Sequence, residues 1–248
     1  MSSEKTDALV IRQADFSESS RVMTLFTRDF GKVSALAKGA KRLKSAFESG
    51  FDLLARCRVV FLHKSTTALD LLTESQLLER FHPRAGSLSH LYGGYYVAEL
   101  LNALTEEDDP HPLLYDAAVA GLEHLGRDES PFLAVTRFEL AVLFEIGQLP
   151  DFYSCTICHS DIAPGHPGRF WVSQSGLICS NCGRSEYQPS EFHPGSLAVL
   201  HQLLQTEAGE PGEIPVSAQQ KKEIRRLMTA AISHVLGRRP KTLSLITM

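Results

Sequence analysis

Long apolar runs are missing from this 248-residue chain. None approaches the roughly 18 residues needed to span a bilayer, which argues against a membrane helix. The basic, apolar, small-residue order of a secretion signal is absent from the N-terminus, which predicts a cytoplasmic protein whose thiols stay reduced. Also absent are the Gly-x-Ser-x-Gly elbow, the phosphate-cradling Gly-x4-Gly-Lys-Ser/Thr loop, the dinucleotide fingerprint and the His-Glu-x2-His zinc helix. An enzyme reading is left without an anchor. The carboxylate run Glu106-Glu107-Asp108-Asp109 does not supply one, because consecutive carboxylates before a proline read as a solvated loop.

Cysteine is sparse, five in all, yet four are placed as Cys155-x2-Cys158 and Cys179-x2-Cys182. Twenty residues separate the pairs, a spacing that gathers four thiolates around one tetrahedral Zn²⁺. Two disulfides or four unrelated core thiols are the alternatives, and a reducing compartment disfavours the first. A complete shell of four thiolates leaves no position for an activated water, so the ion is structural. Gly183, directly after Cys182, is placed to supply a positive φ to the second knuckle, whereas Cys158 is followed by a polar run. His159 and His166 lie in the intervening loop and read as solvent-facing. Cys57 sits in a strand-like run and reads as a buried filler.

Net charge is −4, but the charges are segregated. Residues 1–80 hold 13 Lys+Arg against 10 Asp+Glu, giving +3; residues 81–183 hold 4 against 13, giving −9; residues 184–248 hold 8 against 6, giving +2. A basic head and a mildly basic tail are the segments suited to polyanions.

An α+β, multidomain organisation follows from the periodicity. Residues 1–80 read as five short strands, 6–11, 20–27, 32–37, 53–62 and 68–77. Asp29-Phe30-Gly31-Lys32 and Lys64-Ser65-Thr66-Thr67 are turns. Five strands in so short a segment predict a Greek-key barrel of the OB type, with an SH3-like barrel as the alternative. Beyond Pro83 the pattern is helical. A first helix carries Leu88, Leu91, Tyr92 and Tyr95 on one stripe and Val97, Leu100, Leu101 and Leu104 on another, which predicts a central helix. A second runs from Leu114 to near Gly126, and a third is opened by Ser130-Pro131 and ended by Gly147 and Pro150, with Phe138, Ala141, Val142 and Phe144 on its apolar run. Between the cysteine pairs, residues 169–172 and a Ser175-Gly176 turn suggest the hairpin of a zinc ribbon. Residues 196–205 and 217–236 form the last helices, the latter with Ser217 and Gln220 as a capping box and Gly237 as its stop. The domains are thus 1–80 (barrel), 81–150 plus 185–248 (helical) and 151–184 (zinc module).

Residues 30–47 contain Lys32, Lys38, Lys41, Arg42 and Lys44 without an acidic residue, bracketed by Phe30 and Phe47. On a barrel such a stretch suits a sequence-tolerant single-strand surface, with cations along the phosphates and aromatic faces under the bases. A solvated basic loop over two core phenylalanines fits the composition as well. Lys221, Lys222, Arg225 and Arg226 form a secondary basic cluster, read as one helix face opposite the apolar stripe.

Phe16-Ser17-Glu18-Ser19-Ser20-Arg21, Phe26-Thr27 with Gly31-Lys32-Val33, Ala37-Lys38-Gly39-Ala40-Lys41-Arg42 with Lys44-Ser45, residues 96–101, residues 137–143, the Gly147-x2-Pro150 exit and the paired cysteines follow one another along nearly the whole chain. Together these stretches resemble the RecO family of bacterial recombination mediators. The resemblance implies a cytoplasmic, nucleoid-associated, non-enzymatic DNA-repair protein. Such a protein would bind single- and double-stranded DNA, anneal complementary strands and help load recombinase onto DNA coated with single-strand-binding protein. It would act with RecR and, indirectly, RecA. By position, the Lys38 to Lys44 segment would contact DNA and the four cysteines would hold zinc. Arg137, within one matched stretch, would meet the acidic, Phe-ended tail of single-strand-binding protein. A zinc-ribbon transcription or RNA-binding module and a metal-dependent hydrolase are the competing readings.

Overall fold

The computed structural model describes residues 2–42, 47, 51–63, 69–127, 130–162, 168–171, 176–184, 190–205 and 214–246. The expected turn at 64–67, Ser175, His166 and Lys44 lie outside the described residues. No described helix is long and apolar enough to cross a membrane.

Five strands make the N-terminal unit: β1 (Ser2–Asp15), β2 (Arg21–Thr27), β3 (Gly31–Ala37), β4 (Arg56–His63) and β5 (Asp70–Glu79). They close in the order β1-β2-β3-β5-β4, with β3 and β5 parallel and β4 returning to β1. This is the OB-type barrel anticipated from the strand count. The long β1 serves both neighbours, pairing β4 through Leu9 and β2 from Ala8 onward, and its register shifts between Val10 and Arg12 where it bends. Strict alternation marks β3: Gly31, Val33, Ala35 and Ala37 face inward while Lys32, Ser34 and Leu36 face out. In β1 the alternation is overridden, because Ala8, Leu9, Val10 and Ile11 are all buried. Ala8 and Val10 belong to the barrel core, whereas Leu9 and Ile11 join the core of the helical unit. A continuous apolar run here signals a strand covered on both faces.

The helical unit comprises α1 (Leu88–Leu104), α2 (Pro112–Gly126), α3 (Pro131–Glu145), α4 (Pro194–Gln205) and α5 (Ala218–Leu236), followed by a 3-10 turn, Thr242–Leu245. As expected, α1 is central, burying Tyr96, Val97, Leu100 and Leu101; Leu88, assigned to its apolar stripe, is exposed. The capping box of α5 forms in full, and Gly237 ends it in the left-handed conformation. Ser130 precedes α3 in extended backbone, but its hydroxyl makes no capping hydrogen bond. Phe144, expected on the apolar run of α3, is 65% exposed.

Tyr96 on α1, Glu139 on α3 and Arg225 on α5 form a buried polar junction. The Tyr96 hydroxyl donates to Glu139 Oε1 at 2.6 Å, and the Arg225 guanidinium donates to the same oxygen. Burial, then the Glu139 charge, pushes the Tyr96 phenol well above its ordinary range.

Barrel and helices are joined by specific contacts. Arg28 donates to both carboxylate oxygens of Asp116 at 3.0 and 2.9 Å. Gly31, at φ +67°, lies so close to Asp109 that a Cβ would overlap its backbone. Phe26 of the barrel stacks on Tyr115 of α2 with ring centroids 6.4 Å apart.

Candidate nucleic-acid interface and metal centre

The metal centre rises from two backbone knuckles. In the first, His159 N–H donates to Cys155 O at 2.8 Å and Cys155 N–H to Ser160 O at 2.9 Å. In the second, Cys182 and Gly183 N–H donate to Cys179 O at 3.2 and 3.1 Å. Positive φ falls at His159 (57°), after Cys158, and not at Gly183, reversing the expectation. A Cβ at Gly183 would meet only the end of the flexible Arg169 side chain, which can move aside. Knuckle and hairpin are tied by Thr156, whose N–H donates to Leu177 O at 2.8 Å. The hairpin strands β6 (Gly168–Trp171) and β7 (Gly176–Ile178) are joined by a third strand not anticipated, β8 (Ser190–Phe192), which extends the sheet beyond residue 184. Cys155, Phe170, Leu177, Ile178 and Phe192 lie in one core with the helices.

All four sulfurs lie within 4.8 Å of one another, and Cys158 and Cys179 Sγ are 3.8 Å apart. A tetrahedral ion with bonds of about 2.3 Å needs sulfurs about 3.8 Å apart, so the thiols fit Zn²⁺. Cys179 N–H also donates to Cys155 Sγ at 3.4 Å, a bond that favours thiolate. Hydrogen bonds from the Ser160 side chain and backbone pull the Cys158 thiol down to about 6. Cys182, against Cys158 and Cys179, is pushed up to about 12. Four adjacent negative sulfurs repel one another, and a divalent cation resolves that repulsion. His159 is exposed and outside the sulfur cluster.

The cations predicted at 30–47 separate into groups. Lys32 points away from the barrel interior but into the helical unit, where its ammonium donates to Asn102 O at 3.0 Å and also to Thr105 O. It neutralises the C-terminal carbonyls of α1, so its placement on a nucleic-acid surface is corrected to a tie between units. Lys38 and Arg42 lie on the turn after β3, exposed, and neither makes an ion pair with a described residue. Lys41 lies between them, its ammonium 2.8 Å from Asp15 and 3.3 Å from Ser17 O. The hydrogen bond from Lys41 to Asp15 holds the Asp15 carboxyl below its usual range. Phe30 packs edge-on against Phe61, and Phe47 is buried against Phe51. Neither bracketing ring is presented as a stacking face; both belong to the barrel core or pack on it.

The secondary cluster is also divided. At about 100° per residue, Lys222 and Arg226 oppose Ile224, whereas Lys221 and Arg225 flank the apolar stripe. Accordingly Lys222 and Arg226 are exposed, Lys221 sits 5.9 Å over the Phe132 ring, and Arg225 turns inward to Glu139. Arg225 is therefore removed from the exposed face. Arg137 lines a groove of about 400 Å³ between α2, α3 and α4, with His124, Phe138, Phe144, Tyr153 and Leu203. No signal in the α3 sequence separates a groove wall from a core position; Phe144 reads as apolar periodicity either way.

Comparison with known proteins covers nearly the whole chain. Residues 1–81 match the family model "Recombination protein O N terminal" and residues 85–244 the model "Recombination protein O C terminal". The chain belongs to the RecO family. It is 37% identical over 211 residues to the DNA repair protein RecO of Rhodopirellula baltica, covering 85% of this chain and 76% of that one. The RecO of Myxococcus xanthus is 32% identical over 238 residues, covering 95% and 93%. That of Bacillus pumilus is 26% identical over 224 residues, covering 90% and 86%. In this RecO-family chain the junction between the two matched models, residues 82–84, falls where the barrel gives way to the helices.

Proposed function

We propose that this RecO-family protein is a recombination mediator that binds single- and double-stranded DNA and anneals complementary strands. It would help load recombinase onto DNA coated with single-strand-binding protein, acting beside RecR and, indirectly, RecA in the nucleoid. The observation that carries the reading is the exposed ledge of Lys38 and Arg42 on the rim of the OB-type barrel. Two exposed cations without carboxylate partners among the described residues are available to phosphates, and binding that releases counterions favours any strand regardless of sequence. Annealing needs no bond-making residue, since cations that lower the repulsion between two polyanions suffice. Zinc held by Cys155, Cys158, Cys179 and Cys182 would stabilise the ribbon and take no chemical part, its four positions being filled by sulfur.

Exposed Lys222 and Arg226 on α5 offer a second phosphate contact. The groove holding Arg137 is the place for the acidic, Phe-ended tail of single-strand-binding protein, with a guanidinium for carboxylate and Phe138, Phe144 and Leu203 for the ring. The deciding experiment follows pairing of two labelled complementary oligonucleotides coated with single-strand-binding protein. A mediator accelerates pairing with little sequence preference. Binding confined to one duplex sequence would indicate a transcription module, and metal-dependent strand degradation would indicate a hydrolase.

A further inference from the structure

We infer that Phe16 is the base-stacking platform of this surface and the residue by which it distinguishes unpaired strands from duplex. Phe16 opens the turn between β1 and β2 and is 61% exposed. The other described phenylalanines of the barrel unit up to Phe61 are buried or partly buried in its packing. Its turn is held firmly. Phe16 and Ser17 N–H both donate to Ser20 O, at 3.0 and 3.2 Å. The same turn is bonded to the cationic one: Gly39 N–H donates to Ser20 Oγ at 3.3 Å, Lys41 N–H to Ser19 O at 3.1 Å, and Lys41 Nζ to Ser17 O. Phe16 and the residues Lys38, Lys41 and Arg42 thus ride on one hydrogen-bonded ledge.

One exposed apolar ring is ordinary on a protein surface; what distinguishes Phe16 is that its turn is hydrogen-bonded to the cationic one. Beside cations, it fits a ligand that brings phosphates and a flat apolar face together. An unpaired nucleotide has both, whereas the faces of duplex bases are already stacked on their neighbours. Asp15 and Glu18 are the carboxylates of this turn region; Asp15 is answered by Lys41 and Arg21, and Glu18 is exposed. The inference rests on the ledge proposed above as a nucleic-acid surface, and the test separates the two.

Full-length Phe16→Ala and Phe16→Trp proteins are titrated with an oligo-dT 30-mer and with a duplex of equal length across a salt series, and their melting temperatures are compared with the parent. Phe16→Ala should weaken single-strand binding by roughly 5- to 100-fold, leave duplex binding within about twofold, and keep the salt slope, because no charge is removed. Phe16→Trp should restore binding and show indole quenching on adding the oligonucleotide. Unchanged single-strand affinity in Phe16→Ala, or equal losses on both ligands, overturns the inference. If Lys38→Gln/Arg42→Gln weakens binding while Phe16→Ala does not, the surface stands and the platform fails. If neither variant has an effect, the surface itself is wrong.

Discussion

Removing Lys38 and Arg42 together, as Lys38→Gln/Arg42→Gln, tests whether exposure of a cation or its mere presence in the basic stretch matters. Each phosphate contact on a single strand contributes about 0.7 to the slope of log K against log salt. Losing two should flatten the slope by about 1.4. Since this contribution vanishes near 1 M salt, affinity at 0.1 M should fall by about 10^1.4, or roughly 25-fold. Lys41→Gln alone should change the slope by less than one contact, because Asp15 already lies 2.8 Å from its ammonium. Lys32→Met should leave the slope untouched and instead lower stability, by about 1–3 kcal/mol, since two carbonyls at the end of α1 lose their donor. Anisotropy of a labelled oligo-dT over a sodium chloride series reads the slopes, and thermal melts read the stabilities. An unaltered slope in the double variant, or equal flattening by Lys32→Met, would refute the assignment.

Purified protein should carry one zinc per chain, and Cys158→Ser or Cys179→Ser should release it and lower the melting temperature. Because the ribbon packs in the helical core and outside the core cluster of Ala8, Val10, Val33 and Phe61 inside the barrel, the salt slope for single-strand binding should persist; zinc-free protein of unchanged stability would contradict a structural ion. Gly31→Ala combines positive φ with overlap on the Asp109 backbone and should cost about 2–4 kcal/mol. Gly86→Ala, at φ +75° with open space around it, should cost only about 1 kcal/mol, and equal losses in thermal melts would remove the close approach as a cause. Glu139→Ala should cost about 3–5 kcal/mol by removing the buried carboxylate that faces Arg225, whereas Glu139→Leu/Arg225→Met should lose much less. Strict additivity of Glu139→Leu and Arg225→Met in the double variant, read by chemical denaturation, would show that the pair is not coupled.

What the sequence determined by itself is whatever lies within a few residues along the chain. The alternation in β3, the Ser217–Gln220 capping box, the Gly237 stop and the twin Cys-x2-Cys triplets each carry their instruction in a window of seven residues or fewer. Barrel, helices and sulfur cluster were therefore legible, as was the family from stretches spread over the chain. Tertiary structure decided what each outward-facing side chain meets. Lys32 and Lys38 are both cations of the same basic stretch, yet one caps α1, some seventy residues on, and the other faces solvent. Arg225 and Arg226 are neighbours on α5, separated by about 100° of helix, which turns the first onto Glu139 and leaves the second exposed. Phe47 and Phe16 are equally apolar, but the barrel closes over Phe47 while the turn between β1 and β2 holds Phe16 outside. Local pattern sets the direction a side chain leaves the backbone; the docking of distant segments sets whether it finds water, a carbonyl or a carboxylate, and hence what it can bind.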